Sequence, residues 1–276
     1  MSSQPNVTRC MNNLEEELGC RLMIRSNRGI VLTSEGEKLF SHVATACEQL
    51  QMGEAELAAY KGLQSGTVSI GANETALQGV LLPKLSRFHQ TYPGFHIHIS
   101  NYSTPQAVKA LDEGHLDLAV VTTPTGAKKH LEEIPLKPFR EILVGGSKFA
   151  YLSGEQLSLK ELLNYPIVSM AAETKTFEFY SRFFQKHGLP FHPDIEAANT
   201  AQLFPMIRGD MGLGFLPKSL VADALARREI YQIFLSETIP ERFICLIKDP
   251  HKPLSLAART LEQILRIPNR FDYGSV

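Results

Sequence analysis

Residues Ser3–Thr33 read SQPNVTRCMNNLEEELGCRLMIRSNRGIVLT. Val7, Met11, Leu14 and Leu18 recur at helical spacing behind Gln4-Pro5, proline suits a first helical turn, and Gly19 is a natural stop, so one amphipathic helix is predicted. Its outward face carries Gln4, Asn6, Thr8, Arg9, Asn12 and Asn13, side chains that can bond base edges and phosphates, with no carboxylate among them. Glu15, Glu16 and Glu17 come in the last turns, where they would repel DNA, so the amino-terminal half of the helix is expected to face a groove. Arg25-Ser26-Asn27-Arg28-Gly29 then sits between the apolar runs Leu22-Met23-Ile24 and Ile30-Val31-Leu32, which predicts a hairpin with a basic tip. A helix followed by such a hairpin is the back half of a winged helix-turn-helix.

From Ser34 to about Gln64 there is no proline, and Ser34 with Glu37 offers a capping box for a long helix. Some 30 residues would span about 45 Å. Leu39, Val43, Ala46, Leu50, Gly53, Leu57 and Tyr60 alternate steps of four and three, the spacing of a seam that wants a partner helix. After Gln64-Ser65-Gly66 the pattern changes. A strand over Thr67–Ala72, a helix lined by Leu81, Leu82, Leu85 and Phe88, a strand at Phe95, Ile97 and Ile99, a short helix to Gly114 and an apolar strand over Leu116–Val121 predict a parallel sheet with helical crossovers. A second unit of the same kind follows: helices at Leu159–Leu163, Phe177–Lys186 and Ala201–Arg208, and strands at Ile167–Met170, Ile195–Ala198 and Gly212–Leu216. A late strand, Arg242–Lys248, is expected to return to the first sheet ahead of a closing helix, Ser255–Leu265.

Gln-Pro-x-Val-Thr-Arg, Leu-Glu-Glu-Glu-Leu-Gly, Leu-Met-x-Arg and Leu-Thr-Ser-Glu-Gly, in that order within about 35 residues, resemble the signature of LysR-type transcriptional regulators. LLPKLSRFHQTYP, ALDEGHLDLAVV and GDMGLGFLP fit the effector-binding half of the same family, so the resemblance covers essentially the whole chain. It implies an α/β fold class: a partial winged helix-turn-helix over 1–33, a dimerising linker helix over 34–65, and a two-lobed effector domain of the type 2 periplasmic binding-protein-like kind. Lobe I would take 66–147 and 241–276, and lobe II 148–240, with crossings near Ser147 and Pro240. Family members carry two further helices ahead of the one that opens at Gln4, so a shortened product that binds DNA weakly is expected, with a metabolite-binding protein of impaired DNA binding as the alternative. By resemblance, Gln4, Pro5, Thr8 and Arg9 would approach bases while Arg25, Arg28 and Thr33 hold phosphates. The implied partners are double-stranded promoter DNA, a small-molecule effector, a second copy or three further copies of the chain, and RNA polymerase.

In open α/β sheets ligands bind beyond the carboxyl ends of the strands. Those ends give Asn73, Glu74 and Thr75, then Ser103 and Thr104, Thr122 and Thr123, Thr174, Lys175 and Thr176, and Asn199 with Thr200. Hydroxyl and amide groups dominate. Thr104, ahead of Pro105, is read as a helix cap, with Thr75, Thr174 and Thr200 at other helix starts, and several helix amino ends around one cleft favour an anion. A small carboxylate follows, and the resemblance implies the same class. Glu74 would oppose such a ligand unless Lys175 offsets it or the ligand carries an amine, which brings amino acids forward.

The 276 residues carry Lys+Arg 28 against Asp+Glu 29, a net charge of −1, so any DNA-binding surface must be local. No apolar run approaches the roughly 20 residues that cross a bilayer and the first residues do not resemble a signal peptide, so a cytoplasmic protein without membrane contact is expected. Cys10, Cys20, Cys47 and Cys245 show no metal-like spacing and are read as reduced, mostly buried thiols. His96 and His98 share one strand face and are read as exposed polar positions rather than half a metal site. No nucleophile elbow, phosphate loop, His-Glu-x-x-His or nucleotide fingerprint occurs, so neither an enzyme nor a cofactor is expected.

Overall fold

A computed structural model describes residues 4–26, 29–43, 46, 50 and 66–267, in two compact units that divide between Leu63 and Gln64.

In the first unit α1 spans Gln4–Leu18 and stops where Gly19 takes a φ of +65°, a left-handed turn that glycine adopts without a Cβ penalty. The antiparallel hairpin β1 (Met23–Ser26) and β2 (Gly29–Leu32) follows, with Met23 opposite Leu32 and Ile24 opposite Val31. Glu15 is turned inward rather than left to repel DNA: its Oε1 accepts the backbone N–H of Leu22 at 2.7 Å and of Met23 at 3.0 Å. Helix α2, described over 34–43, is capped one residue earlier than expected. Thr33 Oγ1 accepts the N–H of Gly36 at 3.0 Å and donates to the Arg21 carbonyl at 2.6 Å, whereas the Ser34 hydroxyl donates to Glu35. Along the expected seam Leu39 is half-buried and Val43, Ala46 and Leu50 are exposed. Gly53, Leu57 and Tyr60 lie outside the described residues, as do Arg28 and Cys47.

The second unit holds two sheets. Lobe I is built on β4 (Phe95–Asn101), β3 (Gly66–Ala72), β5 (Leu118–Thr122), β13 (Arg242–Lys248) and β6 (Glu132–Phe139), side by side in that order. The first three are parallel, whereas β13 runs antiparallel to both β5 and β6, so the sheet is mixed. β5 is buried along its whole length, as a mainly apolar strand covered on both faces should be. Helix α3 begins as Glu74–Ala76, widens to a π-helical stretch over Leu77–Leu81 and continues as Leu82–Thr91. With α4 (Thr104–Asp112) and the last helix, α9 (Leu256–Arg266), it covers that sheet. Val68, Ile70, Leu81, Phe88, Leu118, Val120, Leu246 and Leu261 form its core.

Lobe II is built on β7 (Glu141–Gly145), β8 (Gln156–Leu157), β11 (Gly214–Pro217) and β12 (Tyr231–Leu235), ordered β11-β7-β12-β8. The parallel pair β9 (Val168–Met170) and β10 (Ile195–Ala197) joins it through an Ile167–Leu213 bridge. Its helices are α5 (Leu159–Leu162), α6 (Lys175–Lys186), α7 (Thr200–Arg208) and α8 (Lys218–Ala226). An aromatic core of Tyr180, Phe184, Phe191 and Phe215 fills the space beneath α6, Tyr180 stacking on Phe215 at 4.2 Å between ring centroids.

Two expectations are corrected. The first crossing falls at Arg140 and not near Ser147, because β7 starts at Glu141 and hydrogen-bonds only to lobe II strands, β11 and β12. Cys10 is exposed, like Val7 one turn earlier on α1, which is 50% exposed, and Cys20 is half-buried; Cys245 alone among the described cysteines is buried. Burial beside Glu133 pushes the Cys245 thiol up to about 12, which leaves it inert. No helix among the described residues is long and apolar enough to cross a membrane.

Candidate functional site

A cleft opens between the lobes where strands end and helices begin. Its lining includes Asn73, Glu74, Thr75, Ser103, Thr104 and Thr122 from lobe I and Thr174, Lys175, Thr176, Asn199 and Thr200 from lobe II. Its cavity volume is about 50 Å³, smaller than the roughly 300–1,000 Å³ of ligand-filled pockets. Thr123 is not part of it. Its hydroxyl accepts the N–H of Phe243 at 2.9 Å and its own N–H bonds the Phe243 carbonyl, so it pins β5 to β13.

Lining the cleft is not the same as being free to hold a ligand. Asn73 caps α3 by accepting from Ala76 at 2.9 Å and spends both amide hydrogens on Thr104 at 3.3 Å and Thr122 at 3.0 Å. The cap of α4 is Ser103 and not Thr104: the Ser103 N–H and hydroxyl both reach Gln106 Oε1, and Thr104 is buried in the first turn. Thr174 caps α6 by accepting from Phe177 and donates its own hydrogen to the Ala171 carbonyl. Asn199 caps α7 by accepting from Gln202. These residues build the walls. Thr75 and Thr200 have no hydrogen-bond partner for their hydroxyls among the described residues, and Thr176 accepts one bond while keeping its own hydrogen to give. Those three hydroxyls, two on lobe II and one on lobe I, are among the groups available to an incoming molecule.

The floor of the cleft holds two charged residues absent from the expected set, Arg242 and Glu141. Arg242 is 2% exposed. Its Nη1 donates to Glu141 Oε2 at 2.8 Å, Nε to the Thr123 carbonyl at 2.7 Å, and Nη2 to the hydroxyls of Thr122 and Thr176, each at 3.2 Å. The guanidinium lies over the rings of Phe139 and Phe179. Tyr180 donates to the same Glu141 oxygen at 2.8 Å, and its phenol is driven well above its usual range, first by burial and then by the carboxylate beside it. One side chain thus ties β5 of lobe I to β7 and α6 of lobe II. A signal for the pair exists in the chain: each is a charged residue that opens an apolar run, Glu141 ahead of ILVG and Arg242 ahead of FICLI, at the two crossings.

Lys175, at the start of α6, pairs with Glu178 at 2.6 Å and lies against Gly126 of lobe I, where an added Cβ would stand 2.9 Å from its Cε. The Lys175 hydrogen bond holds the Glu178 carboxyl below its ordinary range. Glu74 accepts from Gln78 and has no ion-pair partner among the described residues. His96 and His98 are exposed on the edge strand β4, and among the described residues no group of three or more His, Cys, Asp or Glu could hold a metal.

In the first unit Gln4, Pro5, Thr8 and Arg9 occupy the first turns of α1, where Arg9 is exposed and Thr8 half-buried, and Arg25 lies in β1. Thr33 is the cap of α2, with its hydroxyl engaged on both sides.

The model of the LysR substrate binding domain matches residues 61–267, and that of the bacterial regulatory helix-turn-helix protein of the lysR family matches residues 2–37. The HTH-type transcriptional regulator YofA of Bacillus velezensis is 30% identical over 241 residues, covering 87% of this chain and 79% of its own. Among solved structures, CrgA, a LysR-type transcriptional regulator from Neisseria meningitidis, superposes with a TM-score of 0.66 at 18% identity over 95% of this chain and 90% of its own. The effector binding domain of QuiR in complex with shikimate gives 0.64 at 15% identity over 73% of this chain and 95% of its own.

Proposed function

The chain belongs to the LysR family of DNA-binding transcriptional regulators, and from that premise we propose that its signal is a small carboxylate or amino-acid-like effector held between the two lobes. The family consists of regulators rather than enzymes, with a helix-turn-helix for promoter DNA and a separate domain for small molecules. The observation that carries the proposal is the trio of hydroxyls, Thr75, Thr176 and Thr200, around one cavity whose walls are already hydrogen-bonded. Hydroxyls with hydrogens to give suit a carboxylate, and the helix starts at Thr174 and Asn199 add a favourable field. The similar QuiR domain holds shikimate, a carboxylate with hydroxyls of its own.

On the same reading Gln4, Pro5, Thr8 and Arg9 approach base edges, and Arg25 and Arg28 meet phosphates. Thr33 serves the phosphates by setting the angle between hairpin and helix. The exposed apolar positions Val43 and Leu50, 47% and 70% accessible at seam spacing, favour a homodimer or homotetramer joined through the linker. Activation or repression then runs through RNA polymerase at a promoter, in the cytoplasm.

Thermal unfolding of the intact chain against a panel of small carboxylates tests the effector site. A ligand at a hundred times its Kd stabilises by about 2.7 kcal/mol, which for a unit of this size raises the melting temperature by roughly 5–10 °C. Thr176→Val and Thr200→Val are expected to cut that rise while leaving the ligand-free melting temperature within a few degrees. A panel without any rise, or rises indifferent to both substitutions, contradicts the site.

A further inference from the structure

The charge in the cleft is not arranged for a plain anion. Two cations line it, and each is already paired with a carboxylate, Lys175 sharing Glu178 with Arg182. Arg242 is buried against Glu141 at 2.8 Å, and Lys175 holds Glu178 at 2.6 Å. A plain dicarboxylate that took Arg242 would leave Glu141 without its ion-pair partner, whereas Glu178, which Arg182 also holds, would keep one if Lys175 turned to a ligand. For the buried pair that exchange is especially unfavourable, because Glu141 has no water to turn to. Glu74 is the reverse case. It lines the cleft, half-buried, at the first residue of α3, with only the Gln78 amide bonded to it and no cation within ion-pair range among the described residues. The start of α3 stands across the cleft from α7, so Glu74 on lobe I faces a lobe II wall that carries the hydroxyls of Thr176 and Thr200. One side of the cavity therefore presents an unmatched negative charge and the other presents hydroxyl donors beside the Lys175 ammonium.

We propose that this cleft selects a dipolar ligand, an α-amino acid or a compound of the same layout, whose ammonium is accepted by Glu74 and whose carboxylate lies on the lobe II hydroxyls. The proposal rests on the cleft being the effector site and adds the chemistry of its second pole. Thr75, beside Glu74, offers its hydroxyl oxygen as a further acceptor for the ammonium, which brings three hydrogens and no lone pair. Recognition of this kind discriminates by what is left unpaired: a ligand lacking the amine puts a carboxylate opposite Glu74 with nothing between them.

Calorimetric titration of the full chain with matched pairs reads this directly, using L-aspartate against succinate, L-glutamate against glutarate, L-serine against glycerate and L-alanine against lactate. At least one amino acid is expected to bind about tenfold or more tightly than its amine-free partner. Glu74→Gln, which keeps shape and the Gln78 contact, should lower that preference below about threefold. Glu74→Lys should reverse it, so that succinate or glutarate binds more tightly than to the parent chain. If the amine-free acids bind as well as their partners and depend on Thr176 and Thr200, the cleft remains the effector site and the ammonium pole is refuted. If a preference for the amine survives Glu74→Gln and Glu74→Lys unchanged, Glu74 is not its acceptor and the proposal is refuted as well. If no compound of either series binds, the proposal falls together with the carboxylate reading beneath it.

Discussion

Arg242 is where the shape of the cleft and its electrostatics meet. A guanidinium offers a planar fork of donors, and four of its hydrogen bonds are used here in fixed directions, to Glu141, Thr122, Thr123 and Thr176. A lysine could supply the charge but not the fork. Removing one member of a buried ion pair leaves the other without water or partner, so Arg242→Met is expected to destabilise the second unit by about 3–5 kcal/mol, read as the midpoint of urea unfolding. Adding Glu141→Gln removes the orphaned charge while keeping an acceptor for the Tyr180 hydroxyl, and the double variant should regain more than half of that loss. A double variant no more stable than the single one would show that the fork, and not the charge, is what the fold needs. The available hydroxyls illustrate the same division at this scale. Threonines next to one another in sequence have different fates, Thr122 facing the cleft and Thr123 spent on the neighbouring strand.

Among the elements, the junction between hairpin and linker helix is held by contacts a propensity reading undervalues. Gly36 lies inside α2, where glycine is ordinarily unfavourable, yet an added Cβ would stand 2.1 Å from the Leu22 carbonyl oxygen. The helix can approach the start of the hairpin that closely only because position 36 has no side chain, and Thr33 fastens the approach through Gly36 and Arg21. Thr33→Ala should cost about 1 kcal/mol of the first unit's stability. Gly36→Ala should cost more, about 1–3 kcal/mol, because backbone must move. Both are expected to lower promoter affinity in a gel-shift or anisotropy titration while the thermal transition of the second unit stays in place. In the other unit the run Gly212-Leu213-Gly214 follows the same logic. A Cβ at Gly212 would come within 2.5 Å of the Pro166 carbonyl, and one at Gly214 within 2.7 Å of that of Val168. The glycines there serve close packing and not phosphate binding, as their order of helix before strand suggests.

For the molecule as a whole, a net charge of −1 means that DNA affinity must come from a few local cations. Arg25→Ala is expected to weaken binding to every duplex and to reduce the slope of log affinity against log salt by about 1, whereas Arg9→Ala should leave the slope and relax the preference for the promoter site. Equal slopes and equal losses for the two would contradict that assignment. Local pattern in the chain determined the helix and hairpin of the first unit, most strands and helices of the two lobes, the late strand Arg242–Lys248 and the polar residues at the strand ends. Those features follow from periodicity and turn chemistry, which act over a few residues. Only the tertiary structure decided that the chain crosses at Arg140, that β13 runs antiparallel, that Arg242 finds Glu141, and which hydroxyls remain unspent. Each of these depends on groups far apart in sequence, 120 positions for Arg242 and Thr122, being brought to hydrogen-bonding distance, and satisfaction at that range is set by how sheets pack, not by any local run of residues.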